Sequence, residues 1–257
     1  MARNKRKGEW IAAVLGVGLI LALFQAGSVL YGKPAVFPPV DEIGRSLLNL
    51  LSQGKTYVKI GTTLGHVAEA LAVSCLLGVV VGIAEGLIPY LHSLMRPLHA
   101  MLRSTPMIVM VIIIMVLSRP QVPLLTGCAV LVPIISEAAY EGCVRIEPEL
   151  IDVYRLDSSI RPSIIFRVYL PLISGYMKQA FVNACGMGLK IVVTAEFLVK
   201  TAHSLGQAVF SRRQSADYAE LFAYALIMVL MVLALTGIPA AIIRIAGKVK
   251  KEEVTSG

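Results

Sequence analysis

The chain has 257 residues, 56% hydrophobic and 16% charged, with a mean hydropathy of +0.75 and a net charge of +8. Soluble domains carry about 25% charged residues, so this composition excludes an ordinary soluble enzyme and fits a chain that resides in lipid. The basic excess does not mark a nucleic-acid binder, because the Lys and Arg residues flank apolar runs and form no continuous stripe.

Apolar runs long enough to cross a hydrocarbon core of ~30 Å succeed one another along the sequence. The first, 10–31, follows Arg3, Lys5, Arg6 and Lys7. It is longer than a signal-peptide core and lacks a small-residue cleavage site, so it reads as a retained span. Pro34, Pro38 and Pro39 come next, then Asp41 and the apolar-periodic stretch Ile43 to Leu51, which predicts a short capped amphipathic helix at the outer surface. Further spans are expected at about 62–87, 98–117, 122–140, 171–199 and 218–245, with a tight turn at Ser118 to Gln121 between the third and fourth. The polar tail from Gly247 to Gly257 reads as disordered.

Six spans put both termini on one side. With the termini in the cytoplasm, fourteen Lys and Arg lie inside and eight outside, as the positive-inside rule requires. The runs do not alternate apolar with polar, which excludes a β-barrel. The fold class is therefore all-α, a polytopic membrane helix bundle of about six transmembrane helices in one domain, 1–257. Cys75, Cys128, Cys143 and Cys185 are far apart and form no CxxC pair, so neither a metal site nor a disulfide framework is indicated. The sequence also lacks G-x-x-x-x-G-K-[ST], H-E-x-x-H and G-x-S-x-G, so it carries no sign of ATP hydrolysis or of a common hydrolase.

The inner loop at 141–170 is the most informative stretch. Pro148 suits a first helical turn, with Glu147 and Glu149 at its positive end. Ser158 or Ser159 can cap a second short helix, in which Ile160, Ile164 and Val168 share a face and Arg161 and Arg167 lie off it. Two short amphipathic helices either dock in a partner's groove or lie on the membrane surface.

Here the chain resembles the permease subunits of binding-protein-dependent ABC importers, of the nitrate/sulfonate/taurine type. That family has a cytoplasmic EAA loop, with Gly six positions after the Glu and Leu-Pro ending nineteen after it. Counting back from Leu170-Pro171 puts Asp152 at the Glu position, Val153-Tyr154 at the two Ala positions and Ser158 at the Gly. Gly142, Arg145, Glu147 and Pro148 meet the upstream pattern. Val192-Val193-Thr194-Ala195-Glu196 and Leu205-Gly206 resemble downstream ones. The loop is degenerate, and the literal Glu137-Ala138-Ala139 is out of register with Leu170-Pro171.

The resemblance implies a type I importer permease of the bacterial inner membrane, not itself an enzyme. It would act as a pair, most simply a homodimer, with a cytoplasmic ABC ATPase dimer and an extracytoplasmic solute-binding protein. This chain would hold no cofactor; ATP and Mg would sit on the ATPase. Glu149, Asp152, Tyr154, Arg155, Ser158 and Arg161 are then the candidate ATPase contacts. The pathway would be lined mainly by the fifth span, with Gly186, Lys190 and Glu196 as candidates, and would carry a small anion or a vitamin precursor.

Ionisable groups within spans are costly, at ~2.5–3.5 kcal/mol each on insertion scales, and need a partner or a pathway. His66, Glu69, Glu85, Lys178, Lys190 and Glu196 are of this kind. Lys178 is expected to snorkel and Glu85 to sit at a span's inner boundary. Lys190 is expected to pair with Glu69 or Glu196, or to meet an anionic substrate. An ion-coupled secondary transporter using Glu69, Lys190 and Glu196 is the alternative, and the absence of a visible inverted repeat weighs against it.

Overall fold

The computed structural model describes residues 2–118, 121–146 and 169–256. Among them are nine helices and no strand: α1 (Ala2–Tyr31), α2 (Val40–Ser52), α3 (Gly54–Leu87), α4 (Pro89–Ser104), α5 (Met107–Leu117), α6 (Val122–Val144), α7 (Leu170–Val199), α8 (Leu205–Gln214) and α9 (Tyr218–Ser256). Five are long and apolar enough to cross a membrane, or six spans if the bent pair α4 and α5 counts as one.

The core is built from α3, α6 and α7. Val67, Ala70 and Leu71 of α3 pack with Leu131 and Ile135 of α6, and with Ala184, Leu189 and Val192 of α7. Small residues make this approach possible, since helices in lipid associate by close packing. Gly78, Gly82 and Gly86 recur every fourth residue on the α3 face toward α6. A Cβ on Gly86 would stand 2.5 Å from that of Cys143, and one on Gly82 would run into the carbonyl of Ser136.

The N-terminal helix α1 lies largely apart, with Val14, Leu15, Leu19 and Ile20 exposed. Its far end is tied by Phe24, which packs on Phe37 and Phe222, and by Ser28 Oγ, which donates to the Phe37 carbonyl at 2.8 Å. The amphipathic helix expected after it is present as α2, but not with the expected cap. Its N-cap residue is Pro39, no side-chain hydrogen bond caps it, and Val40 N–H donates instead to Gln25 Oε1 of α1 at 2.9 Å. The apolar face of α2 is covered by protein: Leu50 packs with Leu205 and Ala208 of α8 and with Tyr224 and Ile227 of α9.

Two further expectations are corrected. The third span, expected as one helix over 98–117, is α4 and α5 meeting at 104°. Pro106 has no N–H and forces Thr105 out of the helical region, to φ −67° and ψ 125°. At about 1.5 Å per residue the eleven residues of α5 are too short to cross alone. The tail expected to be disordered is helical to Ser256, as the end of α9. The sequence reading also gives no element between 199 and 218, where α8 lies. Pro133, by contrast, sits inside α6 without ending it.

Candidate translocation face and buried carboxylates

Tyr176, Gln179, Asn183 and Lys190 of α7 are spaced by three, four and seven residues, which places them on one helix face. The opposite face is core, with Ala184, Cys185, Leu189 and Val192 buried. Gln179, Asn183 and Lys190 are exposed, and Gln179 Nε2 donates to Asn183 Oδ1 at 3.3 Å. A polar stripe on a membrane helix is stable where water, a solute or another polar surface meets it.

The stripe opens into two grooves. One, of about 580 Å³, is walled by Tyr176, Gln179 and Asn183 on one side and by Arg103, Glu137 and Glu141 on the other. Arg103 Nη2 donates to the Pro133 carbonyl at 2.7 Å and to Glu137 Oε2 at 3.3 Å, which joins α4 to α6. The other, of about 530 Å³, runs between α7 and α9 and is apolar apart from Lys190.

Of the three residues predicted for the pathway, Gly186 and Lys190 lie one turn apart on α7, and Glu196 lies on another face. Lys190 is on the open face. Gly186 is buried where α7 meets α9, and a Cβ there would stand 2.8 Å from Thr236 Cγ2. Glu196 is fully buried at the end of α7.

The expected pairing of Lys190 with Glu69 or Glu196 is corrected. Glu196 Oε1 lies 2.7 Å from His66 Nδ1, and Oε2 accepts from Thr63 Oγ1 at 2.9 Å and from Gly206 N–H at 3.2 Å. Thr63 Oγ1 in turn accepts from Leu205 N–H at 3.0 Å. The carboxylate and the Thr63 hydroxyl thus satisfy one free N–H each in the first turn of α8, where negative charge is favoured, while Ser204 Oγ caps the same turn by accepting from Gln207 N–H. Glycine is required at 206, since a Cβ would stand 2.5 Å from both Glu196 Cβ and Phe197 N. Glu69 and Lys190 are exposed, and Lys190 has no acidic partner among the described residues. Among the described residues, no ion pair joins Lys190 to Glu69 or to Glu196, the three groups of the ion-coupled alternative.

Glu85 ends its helix as expected, yet it is buried, with 1% of its surface exposed. His92 Nδ1 lies 2.9 Å from Oε2 and His99 Nε2 3.6 Å from Oε1. Sequence reasoning missed both histidines. Their seven-residue spacing on one face of a helix was the available signal. Lys178 is exposed, at the edge of an apolar groove between α7 and α9. Among the described residues, no three His, Cys, Asp or Glu lie close enough together to hold a metal ion.

Glu149, Asp152, Tyr154, Arg155, Ser158 and Arg161 lie outside the described residues. The ends of their segment are described. Gly142 near the end of α6 packs against Ile173 in the first turn of α7, where a Cβ would stand 2.8 Å from Ile173 Cβ. Ile83, Ala139, Cys143 and Ile173 form one buried cluster there.

Residues 74–248 match the family described as binding-protein-dependent transport system inner membrane component. No curated protein matches the chain. Among solved structures, the inward-facing MetNI methionine ABC transporter covers 73% of this chain and 95% of its own, at 18% identity and a TM-score of 0.58. A bacterial ABC transporter involved in import of the acidic polysaccharide alginate covers 93% and 98%, at 14% identity and a TM-score of 0.62. An alginate transporter in complex with its pentasaccharide-bound periplasmic protein gives 13% identity, 93% and 96% coverage, and a TM-score of 0.61.

Proposed function

Because this chain belongs to the family of binding-protein-dependent transport system inner membrane components, we propose that it is the pathway-forming permease of an ABC importer of the nitrate/sulfonate/taurine type. The family is a membrane permease component and not an enzyme, so ATP and Mg belong to a partner. In this reading two copies of the single domain 1–257 enclose the pathway, and both termini are cytoplasmic. A solute-binding protein delivers the solute from the other side.

The observation that carries the reading is the open polar face of α7, a helix whose opposite face is buried in the core. Tyr176, Gln179 and Asn183 offer neutral hydrogen-bonding groups along the route. Lys190 offers the one cation on that stripe, suited to an anionic solute. Gly186 and Glu196 act behind this surface. Gly186 lets α9 approach, and Glu196 fixes the end of α7 to α3 and α8.

Energy enters through 141–170. Glu149, Asp152, Tyr154, Arg155, Ser158 and Arg161 meet the ATPase, with Asp152 in the place of the EAA glutamate. Both ends of the segment join one packed cluster, so a displacement there would move α6, α7 and the end of α3 together. Interfaces packed this tightly shift as units and do not deform gradually.

Two measurements test this. Cysteines introduced as Asn183→Cys and Lys190→Cys should react with a membrane-impermeant maleimide in assembled vesicles, while Leu76→Cys, at a lipid-facing position, should not; equal labelling at all three sites would refute the pathway assignment. Asp152→Lys should abolish co-purification of the ATPase while the chain still inserts. Retained association would refute the coupling assignment.

A further inference from the structure

The helix α4 is built inside out. Tyr90, Leu94, Leu98 and Met101 point away from the bundle, while His92, His99 and Arg103, spaced by seven and four, face α3 and α6. Each makes a polar tie. His92 Nδ1 meets Glu85 Oε2 at 2.9 Å, and its ring stacks on Tyr140 with centroids 3.7 Å apart and planes within 2°. His99 Nε2 stands 3.5 Å from Ser136 Oγ and 3.6 Å from Glu85 Oε1. Arg103 reaches the Pro133 carbonyl and Glu137. Beyond Arg103 the chain breaks at Thr105-Pro106 and turns through 104° into α5.

The two buried carboxylates differ. Both oxygens of Glu196 are hydrogen-bonded, whereas Glu85 Oε1 is buried with no hydrogen-bond partner among the described residues. An unsatisfied buried acceptor is costly, and a network left partly satisfied is one that a small movement can rearrange. The missing bond is 3.6 Å long, so a shift of a few tenths of an ångström in α4 would complete it.

We infer that Glu85 is a positioning residue for transport: acting through His92 and His99, it sets where α4 stands against α3 and α6, and with it where Arg103 stands in the groove beside α7. The bend at Thr105-Pro106 is the pivot. A helix clasped by polar ties and apolar on its outer face can move without uncovering apolar core, which suits a wall that must shift as the pathway opens. The geometry stands on α3, α4 and α6 alone. Its consequence for transport rests on the reading of the groove as pathway.

Electron–electron spin distance measurement on the full chain in lipid nanodiscs tests this. Labels are placed at Leu94→Cys on α4 and Leu76→Cys on α3, both exposed positions, with the four native cysteines replaced. With Glu85 present the distance distribution should be single and narrow. Glu85→Ala should broaden it at least about twofold or add a second population, and Glu85→Gln should recover part of the width. His92→Phe, which keeps the stack on Tyr140, should broaden it as well, while the outward Leu98→Ala should leave it unchanged. A wild-type distribution in Glu85→Ala overturns the inference. If that variant fails to insert, wild-type distributions in both His92→Phe and His99→Phe overturn it. The measurement needs no ATPase, binding protein or solute, so its failure leaves the importer reading standing, and loss of ATPase association would leave this tie standing.

Discussion

Removing the Glu196 carboxylate should be the most destabilising change of a single polar group among the described residues. Glu196→Ala leaves two donors without an acceptor, the Thr63 hydroxyl and Gly206 N–H, both in buried residues. Each stranded donor costs about 1–3 kcal/mol, and breaking a buried pair costs about 3–5 kcal/mol in all. His66 is 28% exposed at its side chain and can turn to solvent, so it adds little. A loss of about 3–5 kcal/mol corresponds to roughly 6–20 °C in melting temperature at about 2–4 °C per kcal/mol for a chain of this size. Glu196→Gln keeps the volume and one acceptor and should lose about half as much. His66→Ala should lose about 1 kcal/mol, the net worth of one hydrogen bond. Thermal unfolding of the purified chain in detergent, followed by intrinsic fluorescence, gives the order. If Glu196→Ala melts within about 2 °C of wild type, below the shift expected for 1 kcal/mol, the carboxylate is not the anchor of α8 and the reasoning fails.

Gly82→Val should block the α3–α6 contact, because its first carbon already meets the Ser136 carbonyl; loss of the folded monodisperse species in size-exclusion chromatography checks this, with Gly61→Val, in open space, as the unaffected control. Phe37→Ala removes the ring between Phe24 and Phe222, so α1 should detach and its connection to α2 should be cut faster by limited proteolysis. Ser204→Ala removes the cap on Gln207 N–H and should cost about 1 kcal/mol, a melting shift of about 2–4 °C that Ser204→Asp largely restores.

The amino-acid order alone determined that the chain is helical and spans a membrane, because apolar runs of that length have one stable outcome in lipid. It also placed most spans to within a few residues, and with the resemblance around Asp152 and Leu170-Pro171 it pointed to the family. The 104° break was half legible: a proline stands at 106 in the sequence, but the angle depends on how α4 is held against α6. Which charges pair was not legible. Lys190 and Glu196 are six residues apart and so lie on different faces of α7, and the partner of Glu196 is 130 residues away in sequence, on α3. Glu85 finds His92 and His99 only because α4 folds back on α3 with its polar side inward, the side on which ionisable groups of a membrane chain find partners. Local pattern reports what a residue is and which face it shares. Partnership across helices is set by packing: in this chain Gly78, Gly82 and Gly86 admit α6 beside α3, and Gly206 admits α8 beside Glu196.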